Sequence, residues 1–418
     1  MVALLLTLAL IAAAYNLFFF AFYLLGAEVY DTWQVLRANK VAKRRKPYMP
    51  KVAVIIPGYN EQYAIGDTIR SVMASTYPNV TAFVVDDGSK DRTSFVAAEA
   101  AKPYGDKVKI FWKKNGGKAS AINHALHRIK GYELVMTLDA DSELAPEAIG
   151  NSVKYFTDKY VQAVASNVKV THANSILGML QKLEYMIAYR SKKAYTVTNS
   201  EFIVGGVGAM YRYKTLKRLG FMDEHLQTED IATSLKILTL GNRKNKVIYG
   251  ADVIAYTEGV SNLKDLYKQR LRWKLGALQA LAQYKGLFFK GGKKHGKMLG
   301  WMRLPLAILS ELLVLVEPLM LVLYLYFTYQ SRSFAFFAGA YATLMVYMFI
   351  AIAMDDTTSR QDKLRLLSIA PIAYFLFYIM NFIQFFSVLS CLRRLEKIYY
   401  GIDSKGSWKS PKRAVRTA

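Results

Sequence analysis

From Val2 to Tyr30 the chain carries no Lys or Arg, and further apolar segments near 303–329, 334–354 and 366–392 fill its C-terminal third. Each exceeds the roughly 20 residues that span the hydrocarbon core of a bilayer. The first run is too long, and too poor in basic residues at its start, for a cleaved signal peptide, so 1–30 reads as an N-terminal transmembrane helix. Arg37, Lys40, Lys43, Arg44, Arg45 and Lys46 follow it in a basic juxtamembrane linker, 31–49. By the positive-inside rule this sets the N-terminus outside and the next domain in the cytoplasm of a multi-pass cell-membrane protein. Composition agrees. Hydrophobic residues make up 53% of the 418 and the formal net charge is +25, a pairing that suits a partner lipid bilayer with an anionic leaflet, or an anionic substrate. The juxtamembrane clusters account for that charge, so no nucleic acid is expected. One cysteine, Cys391, excludes a disulfide framework and a Cys-based zinc site. The five histidines show no HExxH spacing, which argues against a zinc hydrolase.

Between the apolar ends, 50–260 reads as a soluble domain. KVAVIIPGYN (51–60), VTAFVVDDG (80–88), KVKIFWKKN (107–115) and YELVMTLDAD (132–141) are apolar runs that end in polar residues. Helix-length segments at 61–76, 91–103 and 118–130 separate them. This alternation predicts a mostly parallel α/β sheet, with ligands bound beyond the carboxyl ends of the strands. Residues 261–300 read as amphipathic interfacial helices, 301–392 as a C-terminal transmembrane region of about three segments, and 393–418 as a basic tail. Glu311 and Glu317 fall inside the first of those segments, where they line a polar path, pack against the cytoplasmic domain or sit near the interface. The tail carries eight Lys or Arg from Arg393 onward and should stay cytoplasmic, yet one span before the domain and three after it would export it. One C-terminal segment is then re-entrant or interfacial, or the tail is translocated despite its charge.

Four clusters carry chemistry, each with a bland alternative. Asp86-Asp87-Gly88-Ser89 can accept from a nucleobase or ribose, or form a strand-to-helix turn. Asp139-Ala140-Asp141 offers oxygens to a hard divalent cation, or is a chance turn. Thr228-Glu229-Asp230 opens a helix, where Thr228 would cap and the acids would favour the first turn. Gln269, Arg272 and Trp273 share one helix face, which could equally lie on a membrane. In NGGKASAINHAL (115–126), backbone N–H groups and Lys118 at a helix start suit phosphate oxygens, although no P-loop is present.

In this order the motifs resemble an inverting, membrane-embedded family 2 glycosyltransferase of the GT-A fold. They run YNE (59–61), VVDDGSKDRT (84–93), NGGKASAIN (115–123), LDAD (138–141), QTED (227–230) and QRLRW (269–273). The Q-x-x-R-W element is characteristic of processive synthases such as those of cellulose, chitin and hyaluronan. The overall likeness is to bacterial poly-N-acetylglucosamine synthases. ILGMLQKLEYM (176–186), MDDTTSRQDK before the last apolar segment, and GSWKSPKR (406–413) extend the likeness. RWKLGAL departs from the Gln-Gly-Gly-type element usual after RW. The resemblance implies a Rossmann-like GT-A domain, a UDP-sugar donor, best UDP-N-acetylglucosamine, and Mg²⁺ or Mn²⁺. Tyr59, Glu61 and Asp87 would hold the uridine end, with Lys118 near it or the diphosphate. Asp139 would seat the donor and Asp141 would ligate the metal. Asp230 would be the general base, while Arg272 and Gln269 meet the leaving diphosphate. Trp273, with Glu229, would face the acceptor. That acceptor is a growing polysaccharide, threaded through the chain's own helices, or a glycolipid receiving one sugar. An accessory membrane subunit is a further partner of this kind of enzyme.

Overall fold

The computed structural model describes residues 2–43, 47–171, 175–242, 244–291, 295–332 and 334–400. GSWKSPKR (406–413) and most of the basic tail lie outside them.

Eight strands form one sheet: β1 Val52–Gly58, β2 Val80–Asp86, β3 Val108–Trp112, β4 Leu134–Thr137, β5 Ser142–Leu144, β6 Val161–Thr171, β7 Ala209–Arg212 and β8 Lys246–Glu258. Their order is β3-β2-β1-β4-β7-β6-β8-β5. β1 to β4 are the four expected runs, and they pair in parallel. β6 and β8 also pair in parallel, so the sheet is mostly parallel as expected. It is nevertheless mixed: β7 is antiparallel to both β4 and β6, and β5 is antiparallel to β8.

Between the first strands lie α2 Ile65–Met73 and α3 Thr93–Ala101, shorter at both ends than the spacing suggested, and α4 Lys118–Leu126, which starts where expected and ends earlier; they follow α1 Val2–Ala42. Every residue of β1 is buried, as expected of a parallel strand covered on both faces. Ala53 and Ile55 face a core shared with α4, whereas Val52, Val54 and Ile56 face one shared with α2 and α3. Alternating side chains thus put a helical layer on each side of the sheet. α5 Ala148–Tyr155, α6 Ile176–Val197, α7 Tyr213–Arg218, α8 Glu229–Leu238 and α9 Leu263–Gln283 complete this part of the chain.

α1 continues unbroken through the position where a span was expected to give way to a linker. It crosses α6 closely, because Gly26 lies against Ala194 and any Cβ there would collide with it. Arg190 of α6 pairs with Glu28 at 2.9 Å, and Lys193 with Asp31 at 2.7 Å.

After α9 come α10 Leu304–Val314, α11 Glu317–Ser331, α12 Ala335–Ala353, α13 Arg360–Leu392 and the short α14 Leu395–Tyr400. The expected segment 303–329 is broken: its halves bend by 57°, next to Pro318 in the first turn of α11, where proline is tolerated only because its missing N–H is not needed. Among the described residues one helix, Arg360–Leu392, is long and apolar enough to cross a membrane. Glu311 is paired with Lys274 of α9 at 2.6 Å, so this carboxylate faces protein.

Candidate active site

Parallel pairing sets the carboxyl ends of β1, β2 and β4 side by side, with Gly58 opposite Asp86 and Ile55 opposite Thr137. Tyr59 and Glu61 follow β1 directly, both half-buried. The two loops are stitched together: Asn60 N donates to Ser89 Oγ and Glu61 N to Thr93 Oγ1, at 2.9 and 2.7 Å. Asn60 adopts a left-handed φ of 58°, which asparagine tolerates better than most residues.

Asp86 serves this turn. Its carboxylate accepts from Ser89 N and Ser94 Oγ. Asp87 instead holds the glycine-rich loop: it accepts from Gly116 N, from Gly117 N at 2.7 Å and from Lys113 Nζ at 2.7 Å. The loop N–H groups expected to meet phosphate are therefore occupied by a carboxylate, which suits the positive end of α4.

Lys118, the first residue of α4, turns away from Asp87. Its ammonium lies 2.6 Å from Asp139 and 3.0 Å from Glu229. Burial opposes that charge, but Asp139, Glu229 and Asp230 together hold it well above the usual lysine range. Asp230 sits beside them. A Cβ added to Gly206 would lie 2.7 Å from Lys118 Nζ, 3.5 Å from Asp230 Oδ2 and 3.7 Å from Asp139 Oδ1. Gly206 is thus the floor of a small charged cradle. Burial, then the adjacent Glu229 charge, pushes the Asp230 carboxyl up to about 6, against Lys118 and a hydrogen bond from Ile231 N. Asp141, two residues beyond Asp139, is buried and accepts from Ser142 Oγ at 2.9 Å.

Thr228 precedes α8 but makes no capping bond, unlike the simple cap its sequence suggested. Its side chain is pressed instead against Gly276 of α9, where a Cβ would come within 2.4 Å of Thr228 Cγ2. Gln279 accepts from Gln227 N one turn on. α9 is therefore seated on the start of α8, next to Glu229 and Asp230. Gln269, Arg272 and Trp273 lie in the preceding turns of α9, all half-buried. Gln269 Oε1 is buried and has no hydrogen-bond partner among the described residues, an arrangement that costs about 1–3 kcal/mol unless a donor is supplied. Arg270 points elsewhere: it pairs with Glu184 of α6 at 2.5 Å, and its guanidinium lies 4.5 Å from the centre of the Trp273 ring.

Lys118, Asp139, Glu229 and Asp230 thus form one cluster, Asp87 joins it through the 113–117 loop, and α9 joins it through Thr228. Gly206 and Glu184 were not singled out from sequence; the only hint of the former is the Gly-Gly pair at 205–206. Among the described residues no group of three or more His, Cys, Asp or Glu forms a complete metal cage.

The family model for "Glycosyltransferase like family 2" matches residues 50–276. A poly-β-1,6-N-acetyl-D-glucosamine synthase of Staphylococcus epidermidis is 24% identical over 381 residues, covering 88% of this chain and 90% of that protein. The synthase of the same name from Staphylococcus aureus strain COL is 27% identical over 271 residues, 64% of this chain and 65% of its own. Among solved structures, a mannosyltransferase of Pyrobaculum calidifontis in complex with GDP-mannose and Mn²⁺ superposes with a TM-score of 0.57 at 21% identity. It covers 90% of this chain and 98% of its own, a likeness of GT-A-like fold.

Proposed function

Because the chain belongs to glycosyltransferase-like family 2, we propose that it is an inverting, processive transferase that polymerises a UDP-sugar at a membrane. UDP-N-acetylglucosamine is the donor favoured by the names of its synthase relatives. The observation that carries the reading is Asp230: a carboxylate raised to about 6 by burial and by Glu229, facing the cradle over Gly206. A base poised there is ionised at neutral pH and still takes a proton readily.

In this reading Asp230 Oδ2 removes the proton of the acceptor hydroxyl as that oxygen attacks the anomeric carbon from the face opposite UDP. Glu229, bound to Lys118, fixes the other edge of the acceptor site. Tyr59, Glu61 and the loop held by Asp87 form the nucleotide end, and Lys118 exchanges part of its contact with Asp139 for donor oxygens. Asp141, with Asp139 beside it, supplies hard oxygen ligands that suit Mg²⁺ or Mn²⁺ once a diphosphate completes the shell. When bound, that cation offsets the charge of the departing UDP. Arg272 adds a fixed guanidinium to the same end. Gln269 offers its orphaned amide oxygen to a hydroxyl, and the Trp273 face not covered by Arg270 supports the acceptor sugar. The helices after α9, together with α1, hold the site at the cytoplasmic face of the cell membrane and take up the product.

The test is to incubate the purified protein in lipid with a panel of UDP-sugars and follow UDP release and product size. Polymer from UDP-N-acetylglucosamine, dependent on Mg²⁺ or Mn²⁺, is expected. A single-sugar glycolipid as sole product would refute polymerisation; no turnover of any UDP-sugar would refute the donor class.

A further inference from the structure

Helix α13 has the length and hydropathy to cross a bilayer, yet both of its ends are fastened to elements of the catalytic domain. At its start, Asp362 pairs with Lys182 of α6 at 3.0 Å, and the residue just before the helix, Ser359, caps it. The loop ahead is tied down as well, through Asp355 to Lys169 of β6 at 2.5 Å. Near its end, Ser390 Oγ bonds Tyr267 Oη of α9 at 2.8 Å. α14 then packs against α9 again. Between these ties, Leu366, Ala370 and Tyr374 pack on Leu180, Leu183 and Met186 of α6, and Met380 packs on Leu266 of α9.

Asp362 and Ser390 are about 42 Å apart along an ideal helix, well over the roughly 30 Å of a hydrocarbon core. If α13 crossed, Ser390 and its partner Tyr267 would lie on the far side. But Tyr267 stands two residues before Gln269, on a helix whose Arg270 pairs with Glu184 and whose Gly276 is wedged on Thr228. Crossing would carry the Q-x-x-R-W face away from the acids it serves.

We propose that α13 does not cross the membrane but lies along its catalytic face, so that the basic C-terminal tail stays on the side of the catalytic domain. The inference rests on the membrane attachment proposed above. The partner of its outer face is the acyl layer of an anionic bilayer: Ile372, Ile379, Phe382 and Phe386 recur at helical spacing and are exposed, while Phe375 on the same stripe stacks on Phe337 and Tyr341 of α12. The charge pattern fits that partner. Arg360, Lys363 and Arg365 open α13, and Arg393 and Arg394 follow it, so both ends carry the cations that favour the anionic cytoplasmic leaflet. With α13 in plane, the bent α10–α11 pair and α12 make one excursion and return, and the conflict between tail charge and span count disappears.

Cys391 is the chain's one cysteine, which makes the test direct. In a Cys391→Ser background that retains sugar transfer, single cysteines are introduced as Ser404→Cys in the tail and Glu99→Cys on α3. Intact cells are treated with a membrane-impermeant maleimide before and after permeabilisation. Both sites should label only after permeabilisation. Labelling of the tail in intact cells, with Glu99→Cys protected, would overturn the proposal. As a second measurement on the unsubstituted chain, protease added to inverted membrane vesicles should remove the tail, and protease added to right-side-out vesicles should not; the reverse pattern would also overturn it. Release of the protein by an alkaline wash would instead refute the membrane attachment on which this proposal depends.

Discussion

Asp230 is kept where its charge is unfavourable, and this has a measurable sign. An aspartate whose folded pKa of about 6 exceeds the unfolded value of about 3.9 binds more protons folded than unfolded between those limits. It therefore withdraws stability as pH climbs through that window, and the loss is complete above it. Asp230→Asn should leave the thermal midpoint at pH 8 equal to or above the parent's, while turnover falls about 10²–10⁴-fold. In the parent, kcat should rise with pH and level off above about 6. A variant that melts earlier and loses UDP binding in step with turnover would make Asp230 a structural residue. Gly206→Ala tests the cradle from the other side. Its methyl would lie 2.7 Å from Lys118 Nζ, the movable end of a flexible chain, so the fold should survive while Lys118 is pushed off Asp139. Donor KM should rise with little change in melting; an unchanged KM would mean that Lys118 does not meet the donor. The acidic motifs were legible in the sequence because each ends a strand or opens a helix, where local pattern decides placement. Gly206 was not, since its importance lies in being near three charges remote from it along the chain.

Helix α9 shows where periodicity stops being informative. The i, i+3, i+4 spacing correctly sets Gln269, Arg272 and Trp273 on one face, but it is silent on what that face meets. The decisive residue is Gly276, whose missing side chain admits Thr228 and brings α9 down on α8. Gly276→Ala would force Cβ to within 2.4 Å of Thr228 Cγ2, too close for real contacts, and helix propensity alone would have favoured the change by up to about 1 kcal/mol. Sugar transfer should fall sharply while the UDP-binding end, built on β1, β2 and α4, keeps its affinity. Adding Thr228→Ala should restore part of the activity, because two of the three crowding atoms are gone; a double variant no better than the single one would place the damage elsewhere. The strands divide in the same way. β1 to β4 are continuous apolar runs that any parallel sheet requires, and all four were readable. β5 and β7 have only three and four residues, too short for a pattern. The antiparallel pairings, all made by β5 or β7, are illegible for that reason. β6 and β8 pair in parallel, but across register shifts that no local signal announces.

At the scale of the whole molecule, the question is what holds the apolar C-terminal helices in register with the catalytic domain. Apolar contact supplies area but little direction, since α12 and α13 are hydrophobic on nearly every side. Direction comes from buried charge at the α12–α13 loop. Lys169 projects from β6, burial pushes its ammonium pKa down, and Asp355 is the partner that opposes this. Asp355 is in turn held below the usual carboxylate range, against its own burial, by Lys169 and by Thr357, whose N–H and hydroxyl it accepts. Removing one member of a buried pair costs about 3–5 kcal/mol, because the other charge is stranded, whereas replacing both with apolar groups of similar size is often neutral. Asp355→Asn should therefore loosen the 354–359 loop, seen as faster proteolytic cleavage there and a lower melting temperature. Lys169→Met with Asp355→Leu should regain most of the melting temperature. It should not regain the angle at which α13 crosses α6, because apolar pairs fix no direction, so product length should stay altered even when stability returns. If the double variant makes normal product, the salt bridge is only ballast, and the packing of α13 on α6 and α9 suffices to align the helices with the site.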